Sequence, residues 1–441
     1  EMKKISTILM VALLSVGAVF AQGTKESATV KQDEPITLEW WTWSPEMKEK
    51  NEKSIAKYEA MHPNITIENT MMSGSEYWPK LRIRANQNNL PDVFGMSSGS
   101  LEEWAGDGLL ADLDGFIASD NTKEVIYNSL LESTKEIAGG DHYYVLPFAL
   151  VTTNLYYNKD MFDAAGISYP TDDWTWDDFK SAAKKLTLDK DGDGTVDQWG
   201  FWFYGRYAQI EPWVYANDGN LIDRDTMKFA PDANAMEALK MLTDLVLVDK
   251  VAPPQKDMAS YRQRDIFAHE LAAMSVEGSW NIDNNRQHSD PEMRWGIAKI
   301  PTGPSTTTPY VYGWSDSYAM SPTTEHPQEA WDFMRYMAGE GTTMDMYMAG
   351  KIPSYIPLAE SDEFDASDEE PQEMYILKEQ AAMPMRTSYT KGWNEWRGYG
   401  AAEALGLNGL IDGIVNGEMT FDQAMQEAPS DINTVLDRYY N

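Results

Sequence analysis

An α/β architecture with parallel sheets is predicted from two features of this 441-residue chain. Strand-like and helix-like segments alternate along its first half, and each strand–helix–strand step is short. After the polar stretch QGTKESATVKQDEP, the segment ITLEWW alternates and puts Ile36, Leu38 and Trp40 on one face of a strand. A polar helical stretch runs from about Glu46 to Met61, His62-Pro63-Asn64 ends it, and ITIENT reads as the next strand. Such a unit closes as a right-handed parallel pair. A helix over Glu76–Asn88 leads to a third strand at Pro91–Phe94, and YYVLPFALVTTNLYYN continues the alternation. Thr175 and Asp178 form a capping pattern ahead of a helix, with Asp177 and Asp178 favoured at the positive end of its dipole. A long helix is expected over Ala233–Val248, before Pro253-Pro254 stops it. LAAMSVEGSW reads as a strand entering a turn and RWGIAKIP as another strand. The last hundred residues read as mostly helical, with Thr420 and Gln423 as a second capping box.

The N-terminus carries a different message. Lys3 and Lys4 precede an apolar run from Ile5 to Phe20, and Val19 and Ala21 are small enough for cleavage before Gln22. This is the pattern of a secretory signal over residues 1–21, with a polar linker over 22–35. About 420 residues then remain, enough for more than one domain-sized core. Cysteine is absent, so disulfides, thiolate chemistry and a lipid-attachment cysteine are absent with it. An exported, freely soluble, periplasmic monomer is expected. The formal charge of −34 argues against nucleic acid and anionic lipid as partners, and no later run is long and apolar enough for stable membrane insertion. Aromatic residues make up 12% of the chain, 16 of them Trp. Most will fill cores, yet an indole also stacks well on the C–H face of a pyranose, so the surplus leans towards carbohydrate recognition.

DKDGDGTVDQWG places Asp189, Asp191, Asp193 and Asp197 at positions one, three, five and nine of an EF-hand-like loop, with Gly194 at the tight turn. With the Thr195 carbonyl these oxygens could wrap a structural Ca²⁺. Position twelve is Gly200 where a bidentate Glu is usual, so the loop either borrows a carboxylate or is a solvated acidic turn. No cofactor is otherwise required.

Several stretches together resemble the extracellular solute-binding proteins of carbohydrate ABC transporters, the broad family that includes the maltose-binding protein. They are PDVFGMSS (91–98), LPFALVTTNLYYNKDMF (146–162), TWDDF (175–179), the Asp-rich loop followed by QWGF, LAAMSVEGSW (271–280) and GWSDSYAMSP (313–322). The resemblance implies two lobes, each a mostly parallel sheet flanked by helices, joined by a multi-segment hinge that closes on a ligand. Crossings are expected near Leu150–Asn154, Tyr312–Ser315 and Ile352–Pro357. The lobes would then comprise 36–150 plus 316–352 and 154–312 plus 357–441. It also implies delivery of the ligand to membrane permease subunits, with no catalysis.

Trp43 follows the first strand at its cleft-facing end, and Ser97 and Ser98 follow the third, where hydroxyls suit a polyol. Trp280 matches the stacking aromatic of the family's Gly-Ser-Trp turn, with Glu277 placed to accept sugar hydroxyls. Trp314 and Asp316 lie at a crossing, and a carboxylate beside an indole suits vicinal hydroxyls. Trp213, Arg386 and Trp393 are further candidates from the second lobe. Two other readings compete: a secreted glycoside-active enzyme, for which 70 acidic residues guarantee accidental carboxylate pairs, and a ligand-binding sensor without transport. An anionic ligand is disfavoured by the chain's acidity, although Arg386 or Arg206 could pair with one locally.

Overall fold

A computed structural model describes residues 34–43, 47–306, 310–342, 350–361, 369–398 and 406–441. The expected signal segment and most of the expected linker lie outside these residues. Strand β1 (Ile36–Trp43) buries Leu38 and Trp40 and leaves Ile36 half-buried, as the alternation predicts. It pairs in parallel with β2 (Ile65–Met72) from Ile36↔Ile65 to Trp43↔Met72, and helix α1 (Lys48–Met61) makes the connection. Helix α2 (Gly74–Asn86) leads to β3 (Val93–Ser97), which adds to the other edge of β1, again in parallel. Helix α3 (Ser98–Gly106) follows β3 at once.

The sheet is more mixed than the alternation suggests. Strand β4 (Val145–Asn158) is fourteen residues long and buried throughout, its Thr152, Thr153, Asn154 and Asn158 included, the two-faced burial usual for a parallel strand. Every one of its pairings is nevertheless antiparallel. Helices Asn128–Ile137, Pro327–Ala338 and Tyr375–Ala381 pack against it and help to bury its faces. Its chain order includes a hairpin, β5 (Ile222–Asp223) with β6 (Lys228–Phe229), then β7 (Met274–Gly278), β8 (Trp295–Ala298) and β9 (Val311–Met320). β4 runs beside β9 from Val145↔Ala319 to Thr152↔Gly313, then changes partners and runs beside β7 and β8 from Thr153 to Asn158. β9 also changes neighbours along its length, lying against β3 from Asp316 to Met320. The short β10 (Ile352–Pro353) pairs with β4, and β11 (Met385–Arg386) pairs in parallel with β9 at Val311–Tyr312.

Apolar burial divides along the same line. Two clusters draw on residues 38–149 and 318–338, among them Trp40, Tyr318, Phe333, Phe94 and Trp104. The largest draws on residues 151–314 and 389–436. A fourth gathers Leu150, Tyr156, Trp295 and Ile352, where the strands change partners. The predicted helices are present with shifted ends. Trp176–Leu186 carries the Thr175/Asp178 capping box, Ala233–Leu247 follows, and Phe421–Tyr440 starts at the Thr420/Gln423 box.

Candidate ligand-binding cleft

A cavity opens where β1, β3, β7 and β9 end or change neighbours, holding about 1300 Å³ of empty space counted out to its mouth. Six of the expected residues line it: Trp43, Ser97, Trp280, Trp314, Asp316 and Trp393. Trp43 is the last residue of β1, Ser97 the last of β3, and Trp280 lies two residues past β7. Trp280 and Trp314 have ring centroids 5.3 Å apart, and Tyr207 links them to Trp393 at 5.7 Å from Trp314 and 5.3 Å from Trp393. On the opposite side Trp43 lies 5.5 Å from Trp78.

Three of these indoles rest on glycines. A Cβ at Gly95 would lie 2.6 Å from Trp43, one at Gly99 2.5 Å from Trp393, and one at Gly278 1.9 Å from Trp280. Any side chain there would expel the ring from its place. Trp393 is also held from behind, since its Nε1–H donates to Ser388 Oγ (3.1 Å), whose hydroxyl donates to Glu211 Oε2 (2.6 Å). Burial pushes the Glu211 carboxyl up, against the opposing effects of Ser388 and Arg397.

Asp316 is buried and accepts from Lys351 Nζ at 3.0 Å. Arg206 stands 3.6 Å from Glu277, which lies beneath the cavity surface. Burial works against the Arg206 charge, but Glu277 and nearby tyrosines outweigh it and hold the guanidinium above its usual pKa.

Four expected ligand residues lie outside the lining. Ser98 is buried and donates to the Ser315 carbonyl at 3.0 Å, tying α3 to β9. Trp213 is fully buried with Phe179 4.8 Å away, because its helix, Tyr207–Ala216, is enclosed along almost its whole length. Glu277 turns back to the Gly278 amide (3.0 Å) and to Arg206, so it positions a lining residue. Arg386 pairs with Asp218 at 2.6 Å and stacks on Tyr310. Sequence reasoning in turn missed Trp78, Tyr207, Arg262, Arg264, Lys351 and Arg397 as lining residues. Only Lys351, beside the expected crossing at Ile352, had a positional signal.

In the Asp-rich loop, carboxylate oxygens of Asp189, Asp191 and Asp197 lie within 4.8 Å of one another, and all three residues are exposed. Asp193 stands outside that group, its Oδ1 accepting the Thr195 amide at 2.7 Å. The Gly194 and Gly192 amides donate to Asp189 and, the former foremost, hold its carboxyl below the usual range. Three converging carboxylates fit a hard cation. At position twelve no side chain fits, since a Cβ on Gly200 would lie 2.0 Å from the Ala183 carbonyl oxygen.

The profile of bacterial extracellular solute-binding proteins matches residues 41–344, a span from β1 through β9 that takes in most of the cleft. The chain belongs to that family. The solute-binding protein is 25% identical over 345 residues to the multiple sugar-binding protein of Streptococcus mutans, covering 76% of this chain and 78% of that one. It is 24% identical over 338 residues to the melibiose/raffinose/stachyose-binding protein of Bacillus subtilis, covering 72% and 73%. Its fold matches that of an ABC substrate-binding protein from Listeria monocytogenes solved with cycloalternan, at a TM-score of 0.79 and 22% identity, over 92% of this chain and all of that one. The fold class is therefore that of the two-lobed binding proteins, and the role is binding without catalysis. Solute-binding proteins of this kind generally work without a cofactor. The family is extracellular, and among the described residues no helix is long and apolar enough to cross a membrane.

Proposed function

We propose that this solute-binding protein captures a sugar or oligosaccharide in the tryptophan-lined cleft and delivers it to the permease subunits of an ABC transporter. The observation that carries this reading is the set of indoles facing one cavity, Trp43, Trp280, Trp314 and Trp393, with polar groups between them. Flat apolar rings beside hydrogen-bonding groups match the two kinds of surface a pyranose presents. The sugars in the names of the Streptococcus and Bacillus relatives support the same substrate class. The lobes are assigned to 36–150 plus 316–352 and to 154–312 plus 357–441, and the segregated apolar clusters support that division. Trp43, Ser97, Trp280, Trp314, Asp316 and Trp393 are assigned to the ligand. The working form is a soluble periplasmic monomer that closes on its hinge.

A thermal-shift screen over neutral sugars, sugar acids and polyols tests the reading. A true ligand at a hundred times its Kd stabilises the folded state by about 2.7 kcal/mol. If no carbohydrate raised the Tm or released heat in calorimetry, the sugar reading would fall. For the loop, Asp189, Asp191 and Asp197 are assigned to a structural Ca²⁺, supported by their convergence. Calcium added to chelator-treated protein is expected to raise the Tm; no heat and no shift at millimolar calcium would remove that assignment.

A further inference from the structure

The chain carries 70 acidic residues against 36 Lys and Arg, yet the cleft lining reverses that balance. Arg206, Arg262, Arg264, Lys351 and Arg397 all line the cavity, and Asp316 is the single carboxylate among the lining residues. Asp316 is already engaged by Lys351. Beneath the surface Glu277 faces Arg206, and Asp265 accepts from Arg262 at 2.7 Å. These three carboxylates answer three of the cations. Arg264 is half-buried, and among the described residues it makes no hydrogen bond or ion pair.

The chemistry of the lining points the same way. Hydroxyls of a neutral sugar are donors as well as acceptors, and carboxylates are the usual groups that receive their protons. Guanidinium, ammonium and indole N–H groups can only donate. The lining keeps serine hydroxyls and the Asn394 amide as acceptors for a neutral sugar, but its cations outnumber its carboxylates five to one. It suits a ligand that brings its own negative oxygens, and the planar fork of an arginine fits a carboxylate or a sulfate in two-point contact.

We propose that the cleft takes an anionic carbohydrate, one whose carboxylate or sulfate docks on Arg264, in the cavity that Arg206 also lines, while its rings stack on the tryptophans. This rests on the sugar reading above and narrows it to acidic sugars. The expectation drawn from overall charge is thereby reversed, because a cleft can hold one sign of potential inside a surface of the other.

Titration calorimetry on the whole mature protein, with matched probes, decides the matter. The probes are oligogalacturonate against galacto-oligosaccharide, oligomannuronate against manno-oligosaccharide, and a sulfated galactobiose against galactobiose. The tightest binder is expected to be acidic, roughly tenfold or more tighter than its neutral partner, with an affinity that falls as salt is added. The sulfate arm separates the two sources of charge. Arg264→Gln should remove most of that preference, while Arg264→Lys, which keeps the charge without the fork, should retain part of it. Melting curves of both variants show whether they fold. Neutral partners that bind as tightly as the acidic ones would overturn the inference and leave the sugar reading standing. So would an acid preference that survives Arg264→Gln in a folded variant. If none of the probes binds, neutral or acidic, and the thermal-shift screen is also blank, both readings fall together.

Discussion

At Gly278 a single added methyl group would stand 1.9 Å from the Trp280 ring. Gly278→Ala is therefore expected to displace the indole and weaken ligand binding roughly tenfold, the order of a lost aromatic contact. The Tm should fall by only a degree or two. Calorimetry with the best ligand checks this, and unchanged affinity would mean that Trp280 does not touch it. Asp412 supplies a prediction in pH. Burial pushes its carboxyl up to about 6, although it accepts the Gly205 amide at 2.6 Å. In the unfolded chain the same group loses its proton near pH 4, so between these values the folded state holds more protons. The stability it contributes is full below about pH 4 and is lost as the pH rises through 6. Asp412→Asn should accordingly stabilise the protein by about 2 kcal/mol at neutral pH, with the gain vanishing near pH 4. Urea melts of both proteins at the two pH values measure it, and a variant that gains nothing at neutral pH contradicts it. Site residues at strand ends were legible in the sequence, because a strand's last residue faces a cleft by rule. Trp213 was not. An indole inside a helix reads the same whether its surroundings are cavity or core, and only packing against Phe179 and Phe201 decides.

Among the elements, the helices with capping boxes were legible to within a residue or two. The Thr175–Asp178 and Thr420–Gln423 contacts form as their spacing requires. Strand direction was the element-level miss. A buried strand has no polar face, so its sequence cannot report whether its neighbours run with it or against it. The Asp-rich loop shows how one element limits another. Its twelfth position is glycine because the helix Trp176–Leu186 brings the Ala183 carbonyl against it. Gly200→Ala should destabilise the protein by about 2 kcal/mol through overpacking, with or without calcium. Denaturant melts in chelator and in calcium test this. A wild-type-like midpoint in both would show that the helix can give way.

For the molecule as a whole, a formal charge of −34 spread over a surface without cysteine cross-links means that folding works against self-repulsion. Moderate sodium chloride should raise the Tm by several degrees, and an equal osmolality of sucrose should not reproduce the dependence on ionic strength. A Tm independent of salt would mean that local pairs, such as Lys159 with Glu370 and Glu373, already neutralise the field. One further consequence belongs to β4. A strand displaced by one residue turns every side chain to the opposite face, and β4 serves β9 with its first half and β7 and β8 with its second. The irregularity between Pro147 and Ala149 gives that strand one alignment. A slip along β4 would thus misplace both walls of the cleft together. Errors in folding should then yield inert chains for disposal.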